Sequence, residues 1–161
     1  NELLNDIIED NKRDNLKEIN ISKILNKKIE EYYPIFKNKD ISIVINIEEN
    51  INYKWIEKDF IRVIDNLISN AYYYSKKSSI FEINAINEDK PKIEFVSSPI
   101  NIEDINEEKI FNKGYRGSLS NIDNNYGKGY GLYLCRLLLS TVEGTVNIEK
   151  LNENVKFTIM L

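Results

Sequence analysis

The spacing of apolar residues changes several times along this 161-residue chain, and the order of those changes restricts its fold most strongly. Helical spacing predicts two long helices, over Ile21–Phe36 and Ile56–Lys76, and a period of two over Ile41–Ile47 predicts a strand between them. The other predicted elements are strands near Asn52–Trp55, Ser79–Ile86, Lys92–Ser97, Thr145–Lys150 and Val155–Leu161, and helices over Ile105–Phe111 and Lys128–Val142. Because strands and helices do not alternate strictly, we predict an α+β fold, a two-layer sandwich with helices on one face of a mixed β-sheet, and disfavour a doubly wound fold.

The first twenty residues set the predicted domain limits. Asn1–Asp10 carries its apolar residues on one helical face and is predicted to be the end of a helix, followed by a polar linker over Asn11–Asn20. Residues 21–161 are then expected to form one domain. Pro34 is expected to bend or end the first long helix, because proline lacks the backbone N–H and clashes with the preceding turn. The chain begins with Asn rather than Met, so we expect it to be a fragment.

Composition excludes several classes of function. The formal net charge of −4 argues against general binding to nucleic acid or to anionic membranes. Cys135 is the single cysteine, which rules out a disulfide within the chain and fits a reducing, cytoplasmic compartment. No apolar run is long enough to span a bilayer, and no signal peptide is visible. The chain contains no histidine, so a histidine base, metal ligand or phosphoacceptor within it is excluded.

Two asparagines stand one turn apart on the longest predicted helix. Asn66 and Asn70 share a face that lies away from the apolar stripe. Asparagine is a poor residue for a helix interior, but its carbonyl oxygen suits Mg²⁺, which keeps waters and bridges phosphates. The chain is rich in asparagine, so an ordinary solvated face is the alternative. The tyrosines of Tyr72–Tyr74 follow and could stack on a base or mark the helix boundary.

Five of the six glycines lie between positions 114 and 131, and none precedes them. The segment Gly127-Lys128-Gly129-Tyr130-Gly131-Leu132 opens a predicted helix, where free N–H groups, the helix dipole and Lys128 could meet an anion. A polar loop precedes this segment instead of a strand, which disfavours a dinucleotide-binding fingerprint. Arg116 lies in that loop and could reach a terminal phosphate. A flexible surface loop with a solvated arginine is the alternative.

Taken in order, these segments resemble the motifs of sensor histidine kinases. Asp65–Ala71 resembles their N box, Ile110–Arg116 their F box and Gly127–Leu134 their G2 box. The resemblance covers Ile21 to Leu161. It implies the Bergerat, or GHKL, sandwich with ATP bound between the helices, a mobile lid over Asn112–Tyr126, and residues 1–20 as the remnant of a dimerisation helix with its linker.

The resemblance also implies roles for single residues. Asn70 matches the Mg²⁺ ligand, and Asn66 matches a contact to the phosphates. Tyr74 matches the aromatic residue beside adenine, and Arg116 matches the arginine near the γ-phosphate. The segment that closes over the triphosphate is matched by Gly127, Gly129 and Gly131, with Lys128, Tyr130 and Leu132 among them. Two positions depart from the family pattern. Val96–Asn101 lacks the expected Asp-x-Gly-x-Gly, and Ser98 is nearest to the adenine-binding Asp. Tyr73 stands where the family often has a lysine or arginine near the phosphates.

The expected function follows from the resemblance. In hydrolysing relatives a glutamate base occupies the position of Asn66, which cannot take a proton, so a histidine kinase domain is favoured over an autonomous ATPase. The implied cofactors are ATP and Mg²⁺. The implied partners are a histidine-bearing dimerisation domain in a homodimer and a response regulator, with the full-length protein anchored in the membrane. A degenerate domain that binds nucleotide weakly and acts as an interaction scaffold is the alternative, motivated by the missing Asp-x-Gly-x-Gly.

Overall fold

The computed structural model describes residues 16–116 and 129–161, which form three helices and seven strands arranged in two sheets. The elements are β1 (Lys17–Asn20), α1 (Ile21–Asn38), β2 (Ser42–Ile47), β3 (Asn52–Trp55), α2 (Glu57–Tyr74), β4 (Ile80–Asn87), β5 (Pro91–Ser97), α3 (Gly131–Ser140), β6 (Thr145–Leu151) and β7 (Asn154–Met160). Strand β1 pairs with β3, and the larger sheet has five strands in the order β2-β4-β5-β7-β6. Strand β2 runs parallel to β4 and the other neighbours are antiparallel, so the sheet is mixed as predicted.

One face of the five-stranded sheet carries the core. Along β5, Ile93 and Phe95 are buried, whereas Lys92 and Glu94 lie on the other face and pair with each other at 2.9 Å. The apolar stripe of α2 packs on the buried side through fully buried Phe60, Val63 and Ile64. This separation of faces confirms the predicted α+β sandwich, because an alternating strand buries every second side chain under a covering layer of helices.

Pro34 was expected to bend or end this helix, and helix α1 runs through Pro34 and ends at Asn38, so the proline does not end it. Both Pro34 and Glu30, whose carbonyl loses its usual N–H partner, are exposed, so water can satisfy that carbonyl. Beyond the proline, Phe36 is fully buried and stacks on Phe81 with 5.0 Å between ring centroids. This apolar contact holds the last turn of α1 on the sheet.

Three other predicted boundaries changed. Lys17–Asn20 is strand β1 rather than part of a linker, because it pairs with β3 and buries Ile19. Ile105–Phe111 forms turns and not a helix. The last helix begins at Gly131 and ends at Ser140. The predicted helix over Asn1–Asp10 and most of the predicted lid lie outside the described residues. Within residues 16–116 and 129–161, no helix is long and apolar enough to cross a membrane.

Candidate functional site

A cleft of about 350 Å³ lies between α2, the end of β5 and the start of α3. Its described walls contain many of the residues singled out in the sequence: Asn66, Asn70, Tyr73, Tyr74, Arg116, Gly129, Tyr130, Gly131 and Leu132. Of the predicted site residues that the structure describes, Ser98 alone lies outside the cleft. Gly127 and Lys128 fall outside the described residues.

Helix α2 gives the cleft its length and direction. Asn66, Asn70 and Tyr74 are spaced four residues apart and all line the cleft, while the apolar stripe of the same helix is buried in the core. At 1.5 Å rise per residue, these three side chains span roughly 12 Å along the helix. The cleft therefore has two distinct ends, one beside Asn66 and one beside Tyr74.

Asn66 is fixed in orientation by its own helix. Its Nδ2 donates to the carbonyl of Arg62 at 2.9 Å, which turns Oδ1 toward the start of α3. A Cβ atom placed on Gly131 would stand only 2.7 Å from that oxygen. A side chain at position 131 would therefore require the amide of Asn66 to move.

Asn70 is half-buried on the same wall, and its amide makes no hydrogen bond with another described residue. Its Oδ1 is therefore available to a ligand inside the cleft. The described residues contain no cluster of three or more His, Cys, Asp or Glu side chains that could hold a metal on their own. A single amide oxygen fits Mg²⁺ bound mainly by phosphates and water, because Mg²⁺ usually takes only one or two protein ligands.

The glycine segment contacts the preceding loop through its backbone. Gly129 has φ +74° and its carbonyl accepts from the N–H of Gly114 at 3.1 Å. A Cβ on Gly129 would lie 2.7 Å from the carbonyl oxygen of Tyr115. The backbone of these two segments is therefore in direct contact, which brings Arg116 to the same end of the cleft as Gly131.

Helix α3 begins at this end of the cleft without a capping side chain. Its N-cap residue, Tyr130, makes no side-chain cap hydrogen bond, and the first turn carries no acidic residue. The first N–H groups of a helix have no partner within it, and the helix dipole adds partial positive charge there. An anion placed between Asn66 and Gly131 would meet these N–H groups.

At the other end of the cleft, the wall is formed by alternate residues of an extended segment. Phe95, Ser97, Pro99 and Asn101 all line the cleft. Ser98 instead donates its hydroxyl to Oδ1 of Asn154 at 2.6 Å. The hydroxyl that faces the cleft thus belongs to Ser97 and not to Ser98. Strand alternation from buried Phe95 was the signal in the sequence that could have identified Ser97.

Backbone hydrogen bonds tie this wall to the end of α2. Ile100 N–H donates to the carbonyl of Tyr74 at 2.8 Å, and Lys76 N–H donates to the carbonyl of Ser98 at 2.9 Å. Tyr74 is 36% exposed and Tyr73 is 45% exposed, so both rings remain accessible from the cleft that they line. Tyr74 therefore stands across from the segment that carries Ser97.

The basic residues near the end of α2 serve its structure more than the cleft. Nζ of Lys39 donates to the carbonyls of Tyr72 and Tyr73 at 2.6 and 3.2 Å, and burial, with the nearby charge of Lys77, lowers the pKa of Lys39. Lys76, two residues after the end of α2, pairs with Glu153 at 3.8 Å and is not among the described residues that line the cleft. Of the described residues that line the cleft, Arg116 is the one with a positive charge.

Comparison with known proteins agrees with this geometry. The family model described as histidine kinase-, DNA gyrase B-, and HSP90-like ATPase matches residues 56–161. Sensor protein VanSC of Enterococcus gallinarum is 25% identical over 131 residues, which cover 81% of this chain and 36% of that protein. The nucleotide-free catalytic domain of histidine kinase ThkA superimposes with a TM-score of 0.79 at 18% identity, covering 91% of this chain and 96% of that one. Full-length ShkA in complex with AMPPNP has a TM-score of 0.74 at 17% identity, covering 90% of this chain and 30% of that one.

The chain therefore belongs to the family of histidine kinase-, DNA gyrase B- and HSP90-like ATPases. Within that family, its relatives are sensor histidine kinases, and it has the form of their ATP-binding catalytic domain. The chain spans about a third of the length of the curated relatives that it matches.

Proposed function

We propose that this domain binds Mg²⁺-ATP in the cleft and donates the γ-phosphoryl group to a histidine outside this chain. The observation that carries the proposal is that Asn66 and Asn70 line the same cleft as the uncapped start of α3, which Asn66 approaches closely. One wall offers an amide oxygen to a hard cation, and the other offers backbone N–H groups to an anion. A magnesium triphosphate presents both charges side by side, so it suits both walls at once.

The residues of the cleft would act by positioning and by balancing charge, which is how most phosphoryl-transfer sites work. Mg²⁺, when bound, would supply positive charge to balance the triphosphate. Asn70 would hold the ion through Oδ1, and Arg116 would donate hydrogen bonds to the terminal phosphate. Asn66 carries an amide and cannot take a proton from water, so the site lacks a base at that position and hydrolysis is disfavoured.

The acceptor and the signalling partners lie in other parts of the protein or in other proteins. Because the chain contains no histidine, it has no phosphoacceptor of its own and is expected to be inactive in autophosphorylation alone. Its relatives are sensor kinases, which supports a histidine-bearing dimerisation domain as the first partner and a response regulator as the second. Anchoring of the full-length protein in a membrane is part of the same proposal.

Calorimetric titration with ATP, with and without Mg²⁺, tests the binding step. Asn70→Ala should reduce the Mg²⁺-dependent affinity roughly a hundredfold, because the one protein ligand of the metal is lost. Asn84→Ala is the matched control, since Asn84 lies on the sheet and bonds Asn46 and Glu82 outside the cleft. Equal loss of affinity in both variants would contradict a specific role for Asn70.

The transfer step is tested in a longer protein that includes the preceding helices and their histidine. Labelled ATP should place its γ-phosphate on that histidine, and Asn70→Ala should prevent the labelling. Absence of label in the unchanged protein would contradict the kinase proposal. Release of phosphate by the 161-residue chain alone would instead indicate an ATPase.

A scaffold that binds little or no nucleotide is the second candidate. The observation that favours it is that Ser97, whose side chain lines the cleft, is neutral, whereas the resemblance implies a carboxylate for adenine within Val96–Asn101. Absence of ATP binding at millimolar concentration, in a chain whose circular dichroism shows that it is folded, would support the scaffold over the kinase.

A further inference from the structure

The polarity of the cleft changes along α2. Beside Asn66, the walls present the start of α3 and Arg116. Beside Tyr74, the walls are mainly apolar or aromatic, with Phe95, Pro99, Val155 and Phe157 on the sheet side. A nucleoside triphosphate has one polyanionic end and one flat aromatic end, so the Tyr74 end is the one that suits the base. This step rests on the proposed function.

Two neutral polar side chains face the base end from the sheet side. Ser97 is 7% exposed, and its hydroxyl makes no hydrogen bond with another described residue. Asn101 follows on the same side of the extended segment and also lines the cleft. A hydroxyl can donate one hydrogen bond and accept others, and an amide carries a donor and an acceptor on the same group.

Hydrogen-bonding direction decides which purine such a wall accepts. Adenine presents an amino donor at the position where guanine presents a carbonyl acceptor. A carboxylate only accepts, so it binds the adenine amino group strongly and repels the guanine carbonyl. A serine hydroxyl can rotate and an asparagine amide can turn over, so each can match either purine at little cost.

We propose that the base end of this cleft does not discriminate between purines, and that the domain takes both ATP and GTP. The juxtaposition that carries the proposal is that of Ser97 and Asn101 on one wall and Tyr74 on the other. The ring of Tyr74 can stack on either purine, because stacking depends on the aromatic face and not on its substituents.

Asp104 is the one carboxylate among the described residues that line the cleft. Its backbone carbonyl accepts from the hydroxyl of Tyr115 at 3.4 Å, which ties it to the loop that carries Arg116. Asp104 and Asn101 are both more exposed than Ser97, so water competes for their polar atoms more than for the Ser97 hydroxyl. We therefore assign the base contact first to Ser97, with Asn101 following on the same segment, and not to Asp104.

The test is calorimetric titration of the full chain with ATP and with GTP, each in the presence of Mg²⁺. The two dissociation constants should agree within about threefold, because the wall has no group that only accepts. Ser97→Asp should shift the ratio toward ATP by about tenfold, since a charged acceptor strengthens one hydrogen bond and repels the other base. Ser98→Asp adds the same charge one residue along, facing Asn154, and should leave the ratio unchanged.

Ser97→Ala is the second variant to measure, because the Ser97→Asp variant places a charge at a buried position and would be uninformative if it failed to fold. It removes the hydroxyl from both complexes and should weaken ATP and GTP by the same factor. Unequal weakening would contradict the shared contact.

Several outcomes would overturn the proposal. The proposal would be overturned if the unchanged chain bound GTP more than about tenfold more weakly than ATP, because a difference of that size in dissociation constant indicates a selective contact. A folded Ser97→Asp variant with the original ratio would also do so. An ATP preference that Asp104→Asn removes would assign selection to Asp104 instead. Binding of ATP alone overturns only this inference, whereas binding of neither nucleotide overturns the proposed function as well.

Discussion

The two ends of the cleft are built from different parts of the chain. The end beside Asn66 includes a tight backbone contact, where a Cβ atom added to Gly129 would come within 2.7 Å of the carbonyl oxygen of Tyr115. The end beside Tyr74 is formed mainly by side chains. Under the proposed function, the backbone contact at Gly129 would shape the phosphate end together with the side chains of Asn70 and Arg116, and the side chains near Tyr74 would govern which base is accepted.

Gly129→Ala is the variant with the largest expected effect on the end of the cleft beside Asn66. The new Cβ meets a backbone oxygen that cannot turn aside, and φ +74° is unfavourable for alanine. We expect unfolding free energy to fall by about 2–3 kcal/mol, and affinity for ATP and for inorganic tripolyphosphate to fall together by at least about tenfold. Chemical denaturation and calorimetry measure the two effects.

Gly114→Ala is the control for the change at Gly129. Gly114 also has positive φ, +77°, but a Cβ there meets no atom within 4 Å. Its cost should be limited to backbone strain, about 1–2 kcal/mol, with little change in affinity. An equal loss of tripolyphosphate binding in both variants would show that the contact with Tyr115 is not what shapes this end.

Tyr74→Ala addresses the base end. Loss of a stacking ring should weaken ATP binding by about tenfold, the equivalent of roughly 1.4 kcal/mol, and leave binding of tripolyphosphate unchanged. Tyr33→Ala is the control, because Tyr33 is 54% exposed on α1 and does not line the cleft. A parallel loss of tripolyphosphate binding would mean that the two ends are not separable.

Ser98→Ala is expected to have a smaller effect on stability than the glycine variants, and it tests whether Ser97 or Ser98 contacts the base. The variant loses the hydrogen bond to Asn154, which should reduce the unfolding free energy by about 0.5–1.5 kcal/mol. ATP affinity should stay within about twofold, since Ser98 faces away from the cleft. A tenfold loss of ATP affinity would return the base contact to Ser98, where the resemblance first placed it.

Cys135 is buried in the core and is not among the described residues that line the cleft, so we expect it to affect neither end of the cleft. Burial raises the pKa of its thiol from the ordinary 9.0 to about 12. The folded state therefore keeps a proton that the unfolded state loses, so the thiol's contribution to stability is complete below pH 9 and disappears as pH rises from 9 to about 12. At pH 8, a chromogenic disulfide reagent should label Cys135 at least about a hundredfold more slowly in the folded chain than in urea. Rapid labelling of the folded chain would contradict its burial.

Sequence periodicity predicted most of the sandwich because most of its elements are set by local patterns. The stripe of α2 records a single buried face, whereas the alternation at Ile41–Ile47 marks a strand on which Ile41 is buried and Ile45 is 44% exposed. Strand β1 could not be found in this way, because Lys17–Asn20 is polar and is fixed by pairing with β3. The turns over 105–111 show the opposite case, in which apolar residues at helical spacing in a mostly polar stretch do not form a helix.

The candidate site was predictable where backbone geometry requires particular residues. The glycine at 129 is required by its positive φ and by the backbone oxygen that a side chain there would meet. The base end was harder, because choosing between Ser97 and Ser98 needs the register of one strand. A shift of one residue moves a side chain from the cleft to the opposite face of the sheet.

The missing cap at the start of α3 has a consequence for local opening of the fold. With no capping side chain on Tyr130 and no acid in the first turn, the first N–H groups of the helix have little to hold them in place. Such a terminus frays easily, so its amide hydrogens should exchange with solvent faster than those near buried Leu138. An anion that binds there supplies the absent cap, and part of its binding free energy is spent on ordering the helix. Slower exchange confined to this first turn would then report occupancy of the cleft.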